Sequence, residues 1–198
     1  NTDFQRVNLR LNLDQQLADW AKLGVGMTYS NSFSHELPNG NVFYSPINSV
    51  NITNNIRRAD SLDANGLLQA VEPTRVNPAS IIETFDITQA VNRGGGNLQL
   101  TLFPFKGLKF DWISGVDAYS QLGKTYIPVY PYANVNPAYY NLGYAGNANS
   151  LNMLFNTDIN LTYEADLFNK LHSTTTAGYN YQYNQSDYSV SSGQTLAP

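Results

Sequence analysis

The sequence predicts an all-β protein, and more narrowly an antiparallel transmembrane β-barrel segment of about six long strands arranged as three hairpins. Three observations support this fold class: apolar and polar residues alternate over long runs, the connections are alternately short and long, and charges are few. Charged residues make up 13% of the 198 residues, while tyrosine occurs 14 times. Soluble domains have about twice that charged fraction. The surface is therefore predicted to be polar but largely uncharged.

The first predicted hairpin lies near the start of the chain. Every second residue from Val7 to Leu13 is apolar, and the residues between them are Asn and Arg. After a short connection, the alternation resumes from Leu23 to Tyr29. Strict alternation of this kind is typical of a β-strand whose two faces meet different surroundings.

Two more hairpins follow the same pattern. One pairs the run from Leu98 to Leu102 with the run from Leu108 to Ala118, and the other pairs residues 151–163 with residues 177–183. No segment predicts a helix convincingly, and no stretch approaches the roughly 18 apolar residues of a transmembrane helix. We expect residues 1–198 to form part of one barrel domain.

The connections differ in length from one end of the strands to the other. Those near residues 15–21, 104–107 and 166–171 are short, whereas 34–84 and 121–149 are predicted to be long loops. Outer-membrane barrels have short periplasmic turns and long extracellular loops. The runs also meet the roughly 9–11 residues that a tilted strand needs to cross a bilayer, and exceed the roughly 5 or 6 of soluble strands. Both features favour a barrel over a soluble β-sandwich.

One stretch breaks the alternation. The apolar residues are odd-numbered from Phe85 to Val91 but even-numbered from Leu98 to Leu102. A β-bulge at the three glycines 94–96 would restore the phase within one strand from about Phe85 to Pro104. Alternatively, the glycines end a loop and the strand begins at Asn97.

The alternation assigns side chains to two surroundings. We expect the polar positions to face the lumen, where pairing with neighbouring groups is favoured over contact with a substrate; they are Arg6, Arg10, Asp14, Lys109, Asp111, Asp117 and Asp158. We expect the apolar positions to face lipid, and they are Leu9, Leu11, Leu98, Leu100, Phe110, Trp112, Ile159 and Leu161.

Tyrosines cluster in the second long loop. They are Tyr126, Tyr130, Tyr132, Tyr139 and Tyr140. At an extracellular mouth these rings could stack on a substrate, because tyrosine gives a large amphipathic contact at low entropy cost. Packing of the loop against itself is the alternative interpretation, and the one we favour.

Composition argues against several other functions. The net charge of −4 gives no basic stripe for a nucleic-acid backbone. The absence of cysteine and the separation of the two histidines give no metal-ligand spacing, so neither metal nor cofactor is expected. Paired carboxylates such as Asp111 and Asp117 lie about 20 Å apart on an extended strand, too far for a glycosidase pair. We expect no catalytic residues and no enzymatic activity.

Four segments together resemble one family. RVNLRLNLD at 6–14 with WAKLGV at 20–25 comes first, VNPA at 76–79 second, RGGGNLQLTL at 93–102 with KGLKF and GVD third, and NLTY at 160–163 with AGYNYQ at 177–182 fourth. In this order they resemble barrel segments of the SusC/RagA family of TonB-dependent outer-membrane transporters. Each motif is mainly barrel alternation, but the order adds specificity.

The resemblance implies a function. SusC-like proteins import oligosaccharides or peptides across the Gram-negative outer membrane, with an internal plug, a SusD-like surface lipoprotein as a lid and energy from the TonB complex. Six strands are fewer than the about 22 of large plugged transporters. We therefore expect a barrel portion that lacks the plug and needs the remainder of its own barrel and the lipid bilayer as partners. The alternative is a soluble β-sandwich that binds carbohydrate through its loop tyrosines.

Overall fold

The computed structural model describes residues 2–40, 44–52, 58, 60–62, 64, 66, 68, 77–129, 142–167 and 171–196. Six strands form one antiparallel sheet in the order β1-β2-β3-β4-β5-β6, so each strand pairs with its neighbours in sequence. The strands are β1 Asp3–Ala18, β2 Ala21–His35, β3 Asp86–Phe105, β4 Leu108–Val129, β5 Leu142–Leu167 and β6 Leu171–Gln194. The all-β antiparallel prediction is confirmed. The described strands form a single sheet rather than the two packed sheets of a sandwich.

The short connections lie together at one end of the sheet, the turn side. Asp19 and Trp20 join β1 to β2, and Lys106 and Gly107 join β3 to β4. Gly107 has a φ of +87°, a conformation that glycine adopts at little cost, and an added Cβ would lie 2.4 Å from the carbonyl oxygen of Glu164. The opposite end, the loop side, carries the long connections.

The long loops are shorter than the sequence predicted. β4 continues to Val129 and β5 begins at Leu142, so both ends of the predicted loop 121–149 are strand. The connection between β2 and β3 contains two short helices that the sequence did not predict, α1 Pro46–Ile52 and α2 Pro78–Thr84.

Local chemistry explains where α2 begins and ends. The side-chain oxygen of Asn77 accepts a hydrogen bond of 2.9 Å from the backbone N–H of Ala79, and Pro78 follows as the first helical residue. At the other end, the N–H of Phe85 donates to the carbonyl oxygen of Ile81 at 3.1 Å. Phe85 then leads directly into β3.

The predicted bulge at residues 94–96 is wrong. β3 is one continuous strand, as predicted, but its pairing is regular through the glycines: Gly95 lies opposite Thr28 of β2 and Asp117 of β4. The apolar residues before and after the glycines therefore lie on opposite faces of the sheet. On the loop side, Ile87 packs with Ile127, Tyr144 and the residues Ile81 and Phe85 in a small apolar cluster.

Candidate functional site

The strand registers divide the side chains between two faces, which we name by their residues on the turn side. The leucine face carries all eight residues predicted to face lipid: Leu9, Leu11, Leu98, Leu100, Phe110, Trp112, Ile159 and Leu161. The charged face carries all seven predicted to face a lumen: Arg6, Arg10, Asp14, Lys109, Asp111, Asp117 and Asp158. What each face contacts beyond this chain remains a prediction.

The strands can be divided along their length into two zones that differ in which side chains each face carries. The turn-side zone covers Leu108 to Ala118 of β4 and the residues paired with them across the sheet. The loop-side zone covers Ser120 to Val129 of β4 and the residues paired with them. On the leucine face, the turn-side zone of the described strands contains no Asp, Glu, Lys, Arg or His.

An ion pair joins β3 and β4 on the charged face. The Arg93 guanidinium donates to both carboxylate oxygens of Asp117, with its Nη2 2.7 Å from Oδ2 and its Nε 3.1 Å from Oδ1. This two-point geometry holds both side chains in one orientation. The sequence analysis missed Arg93, because the predicted bulge would have put its side chain on the same face as Ile87 and Val91. The regular pairing through the glycines places it on the charged face instead.

Lys109 and Asp111 form a second ion pair nearer the turns. Their Nζ and Oδ2 atoms lie 2.8 Å apart, and the Thr101 hydroxyl donates to Oδ1 of Asp111 at 2.8 Å. The Asp111 side chain is 15% exposed, whereas that of Lys109 is 46% exposed. The carboxylate is therefore held from two sides while the ammonium group still meets solvent.

Amide groups surround Asp158. The side-chain amide of Asn180 donates to Oδ1 at 2.6 Å and that of Asn156 donates to Oδ2 at 2.8 Å. The carboxylates of Asp117, Asp111 and Asp158 therefore all have ion-pair or hydrogen-bond partners within the sheet. The expectation that pairing is favoured over contact with a substrate stays a prediction for these residues.

Arg10 and Asp14 lie on the edge strand β1, away from the pairs that involve Asp117, Asp111 and Asp158 on β4 and β5. Asp14 lines a hollow of about 400 Å³ with Gln16, Lys22, Gln99 and Thr101. The hollow lies beside Gly24, where an added Cβ would be 3.2 Å from Oδ1 of Asp14. An ammonium and a carboxylate at one hollow could bind a polar group carrying either charge.

The predicted tyrosine site is only partly described. Tyr126 lies in β4 rather than in a loop, which corrects the prediction, and it pairs with Asp86 and Ala145 on the leucine face. Its neighbour Ile127 points to the opposite face and is buried. The other members of this set, Tyr130, Tyr132, Tyr139 and Tyr140, lie outside the described residues.

The described residues show no group of three or more His, Asp or Glu side chains that could hold a metal ion. Among the same residues, neither α1 nor α2 is long and apolar enough to cross a membrane.

We compared the chain with known proteins by sequence and by structure. No protein-family model matches the chain, and no curated protein matches it. Solved structures that share its fold include the RagAB peptide importer in the "closed-closed" state (17% identity, TM-score 0.68), the RagAB peptide transporter (16%, 0.67) and the importer in the "open-open" state (17%, 0.69).

Each match covers 98% of this chain and 22% of the other chain, so the present chain spans about a fifth of the solved chains' length. The similarity therefore extends over the whole sheet rather than over one hairpin. The resemblance to the SusC/RagA family is confirmed in the fold: this chain is built like a segment of the RagAB importer.

Proposed function

We propose that this chain is part of the barrel wall of a TonB-dependent, SusC-like importer in the Gram-negative outer membrane. One observation carries the proposal: within the turn-side zone, the leucine face has no charged side chain, whereas the charged face carries Arg10, Asp117 and their neighbours. Lipid on one side and a hydrated lumen on the other account for this difference. A soluble sheet open to water on both faces would not require it.

The dimensions of the turn-side zone fit a bilayer. The ten steps from Leu108 to Ala118 span about 33 Å along the strand. At a strand tilt of about 40°, this corresponds to a height of about 25 Å, the height of the apolar band of outer-membrane barrels.

Further strands are needed to complete such a wall. Within the described residues, β1 pairs only with β2 and β6 only with β5, so each has one free edge. Unpaired backbone groups in lipid cost several kcal/mol each. The remainder of the barrel is therefore the first proposed partner, and residues 1–198 belong to one barrel domain with the plug supplied by another part of the protein.

The transported substrate belongs to the same proposal. The matched structures are described as a peptide importer and a peptide transporter, which favours peptides over oligosaccharides. A SusD-like surface lipoprotein and the TonB complex, the latter acting through the plug, are the proposed partners. The matched proteins are transporters rather than enzymes, in agreement with a non-catalytic role.

Fractionation and uptake test this function. Intact protein containing this chain should be recovered from the outer membrane only with detergent, and cells that contain it should accumulate labelled oligopeptides in a TonB-dependent manner. Uptake of oligosaccharides instead of peptides would overturn the proposed substrate but support the proposed importer function. A protein that stays monodisperse in buffer without detergent would overturn the proposal and favour the soluble carbohydrate-binding alternative.

A further inference from the structure

We infer that Asn39 is a site of spontaneous deamidation, in which the backbone nitrogen of Gly40 attacks the side chain of Asn39. The site lies in the connection between β2 and α1, where Pro38, Asn39 and Gly40 follow one another shortly after the end of β2. Proline, asparagine and glycine in this order are typical of a turn. The inference does not depend on the transport function.

A hydrogen bond brings the reacting groups together. The Gly40 backbone N–H donates to Oδ1 of the Asn39 side chain at 2.7 Å. The backbone nitrogen therefore lies beside the side-chain carbonyl group of the preceding residue. A nucleophile and an electrophile that are held together react faster than free groups, because the entropy of bringing them together has already been lost.

The conformation of Gly40 leaves its nitrogen accessible. Its φ of +79° lies in the left-handed region, and no atom of the described chain beyond its neighbours lies within 4 Å of the place where a Cβ would be. A residue with a side chain would be strained in this conformation and would shield the nitrogen. Asn39 and Gly40 are both exposed, so hydroxide and water can reach the reacting atoms.

The first step closes a ring. Hydroxide removes the proton of the Gly40 N–H, and the nitrogen then forms a bond to Cγ of Asn39. The bond between Cγ and Nδ2 breaks, and Nδ2 leaves as ammonia after taking a proton from water, which regenerates the hydroxide. The product is a succinimide.

The second step opens the ring. Water adds to one of the two carbonyl carbons, the bond from that carbon to the nitrogen breaks, and the nitrogen recovers a proton. Opening at Cγ gives aspartate at position 39. Opening at the main-chain carbonyl carbon gives isoaspartate, in which the chain runs through the former side chain and is longer by one methylene group. Either product adds one negative charge close in sequence to Glu36.

Two other asparagines followed by a small residue are held differently. Ser49, which follows Asn48 in α1, donates its N–H to the carbonyl oxygen of Ser45 at 2.8 Å. Ser32, which follows Asn31, lies in β2, a strand paired on both sides by β1 and β3. Backbone N–H groups of such a strand donate to the neighbouring strands. In both places the regular backbone directs the nitrogen away from the preceding side chain.

Peptide mass spectrometry tests the site. The purified intact protein is incubated in mildly alkaline buffer and digested with trypsin, which releases residues 23–57 as one peptide that contains positions 31, 39 and 48. Conversion makes this peptide heavier by the difference between a hydroxyl and an amino group, and fragmentation locates the change. Ser32→Gly supplies the matched control, because it places the same pair of residue types in a paired strand.

We expect position 39 to convert at least about tenfold faster than position 31 of the Ser32→Gly variant, which corresponds to a barrier lower by about 1.4 kcal/mol. In guanidinium chloride, which unfolds the chain, the two rates should become similar. Gly40→Ala should slow conversion at position 39 by about tenfold, and Asn39→Gln should abolish it. The rate at position 39 should rise with pH, since the Gly40 nitrogen must lose its proton before it attacks.

Equal rates at positions 39 and 31 in the folded variant would overturn the inference, as would a Gly40→Ala protein that converts as fast as its parent. A rate difference that persists in guanidinium chloride would also overturn it, because the contact between Gly40 and Asn39 would then not control the reaction. If Ser32→Gly fails to fold, Asn48 of the parent protein takes its place in the comparison. Conversion at position 48 as fast as at position 39 would have the same meaning.

Discussion

The two zones of this sheet share strands and alternation, but their largest apolar groups lie on opposite faces: exposed leucines in the turn-side zone and a buried cluster in the loop-side zone. In the turn-side zone, the leucine face is apolar and the charged face holds its ions in pairs such as Arg93–Asp117, at its upper limit, and Lys109–Asp111. In the loop-side zone, the apolar cluster around Ile127 lies on the charged face beneath α2. The period of a strand therefore shows that its two faces differ, whereas the surroundings of the strand decide which face is apolar.

The largest expected effect comes from removing the cluster in the loop-side zone. Ile81 is 0% exposed, so Ile81→Ala should destabilise the docking of α2 by about 2–5 kcal/mol, through lost burial and a residual cavity. Amide exchange of residues 79–84 should accelerate by more than about tenfold, since each 1.4 kcal/mol is a factor of ten. Exchange in the turn-side zone should not change.

Ile82→Ala is the matched control for that experiment, because Ile82 lies in the same helix but is 41% exposed. We expect it to change the free energy of docking by less than about 1 kcal/mol. Equal effects of the two variants would mean that the cluster does not hold α2 on the sheet.

The second-largest expected effect is the cost of placing a charge on the leucine face, which should differ between the two zones. Ser114→Arg places a guanidinium in the turn-side zone, and we expect it to lower the free energy of unfolding by about 2–4 kcal/mol. Ser120→Arg places the same group on the same strand and face in the loop-side zone, where the cost should be about 0–1 kcal/mol. Guanidinium unfolding of the intact protein from lipid vesicles measures both.

Equal costs at the two serines would contradict the division into a lipid zone and a water zone. A larger cost at Ser120 than at Ser114 would invert the division and place the loop-side zone in the bilayer.

The ion pair between Arg93 and Asp117, at the limit between the zones, should contribute less to the free energy of unfolding than the preceding substitutions remove. The side chains of Arg93 and Asp117 are 62% and 40% exposed. A double-mutant cycle with Arg93→Ala and Asp117→Ala should therefore give a coupling energy of about 0.2–1 kcal/mol that falls as salt rises. A coupling energy well above this range and insensitive to salt would show that the charged face is dry rather than hydrated.

The sequence predicted the turn-side zone well because one face there is mostly apolar and carries no charge on the described strands. Leu98, Leu100 and Leu102 alternate with polar residues, so the strand and its two faces follow from period two. The pair between Arg93 and Asp117 could not be predicted in the same way. It depends on the register between β3 and β4, which alternation within one strand does not set.

The loop-side zone was harder to predict for two physical reasons. The change from odd-numbered Ile87 to even-numbered Leu98 correctly indicated that the alternation changes there. However, a bulge and a change of the apolar face along a regular strand give the same sequence pattern. The helices α1 and α2 are seven residues each. Helices this short are marginal alone and depend on tertiary packing, so their residues show no helical period.

The smallest expected effect is a pH dependence at the turn side, beyond the apolar band. The hydrogen bond from His172 to Asp166, at 2.8 Å, raises the pKa of the imidazole above its usual 6.5, and attraction to Asp166 and Glu164 adds to this. Because the folded pKa is raised, the ion pair is fully formed below about pH 6.5 and is lost as pH rises through the folded pKa. NMR titration of the intact protein should give a His172 midpoint above 6.5, and Asp166→Asn should lower it. A midpoint that Asp166→Asn leaves unchanged would show that the pair is absent in solution, and the turn side would then lack this contact between β5 and β6.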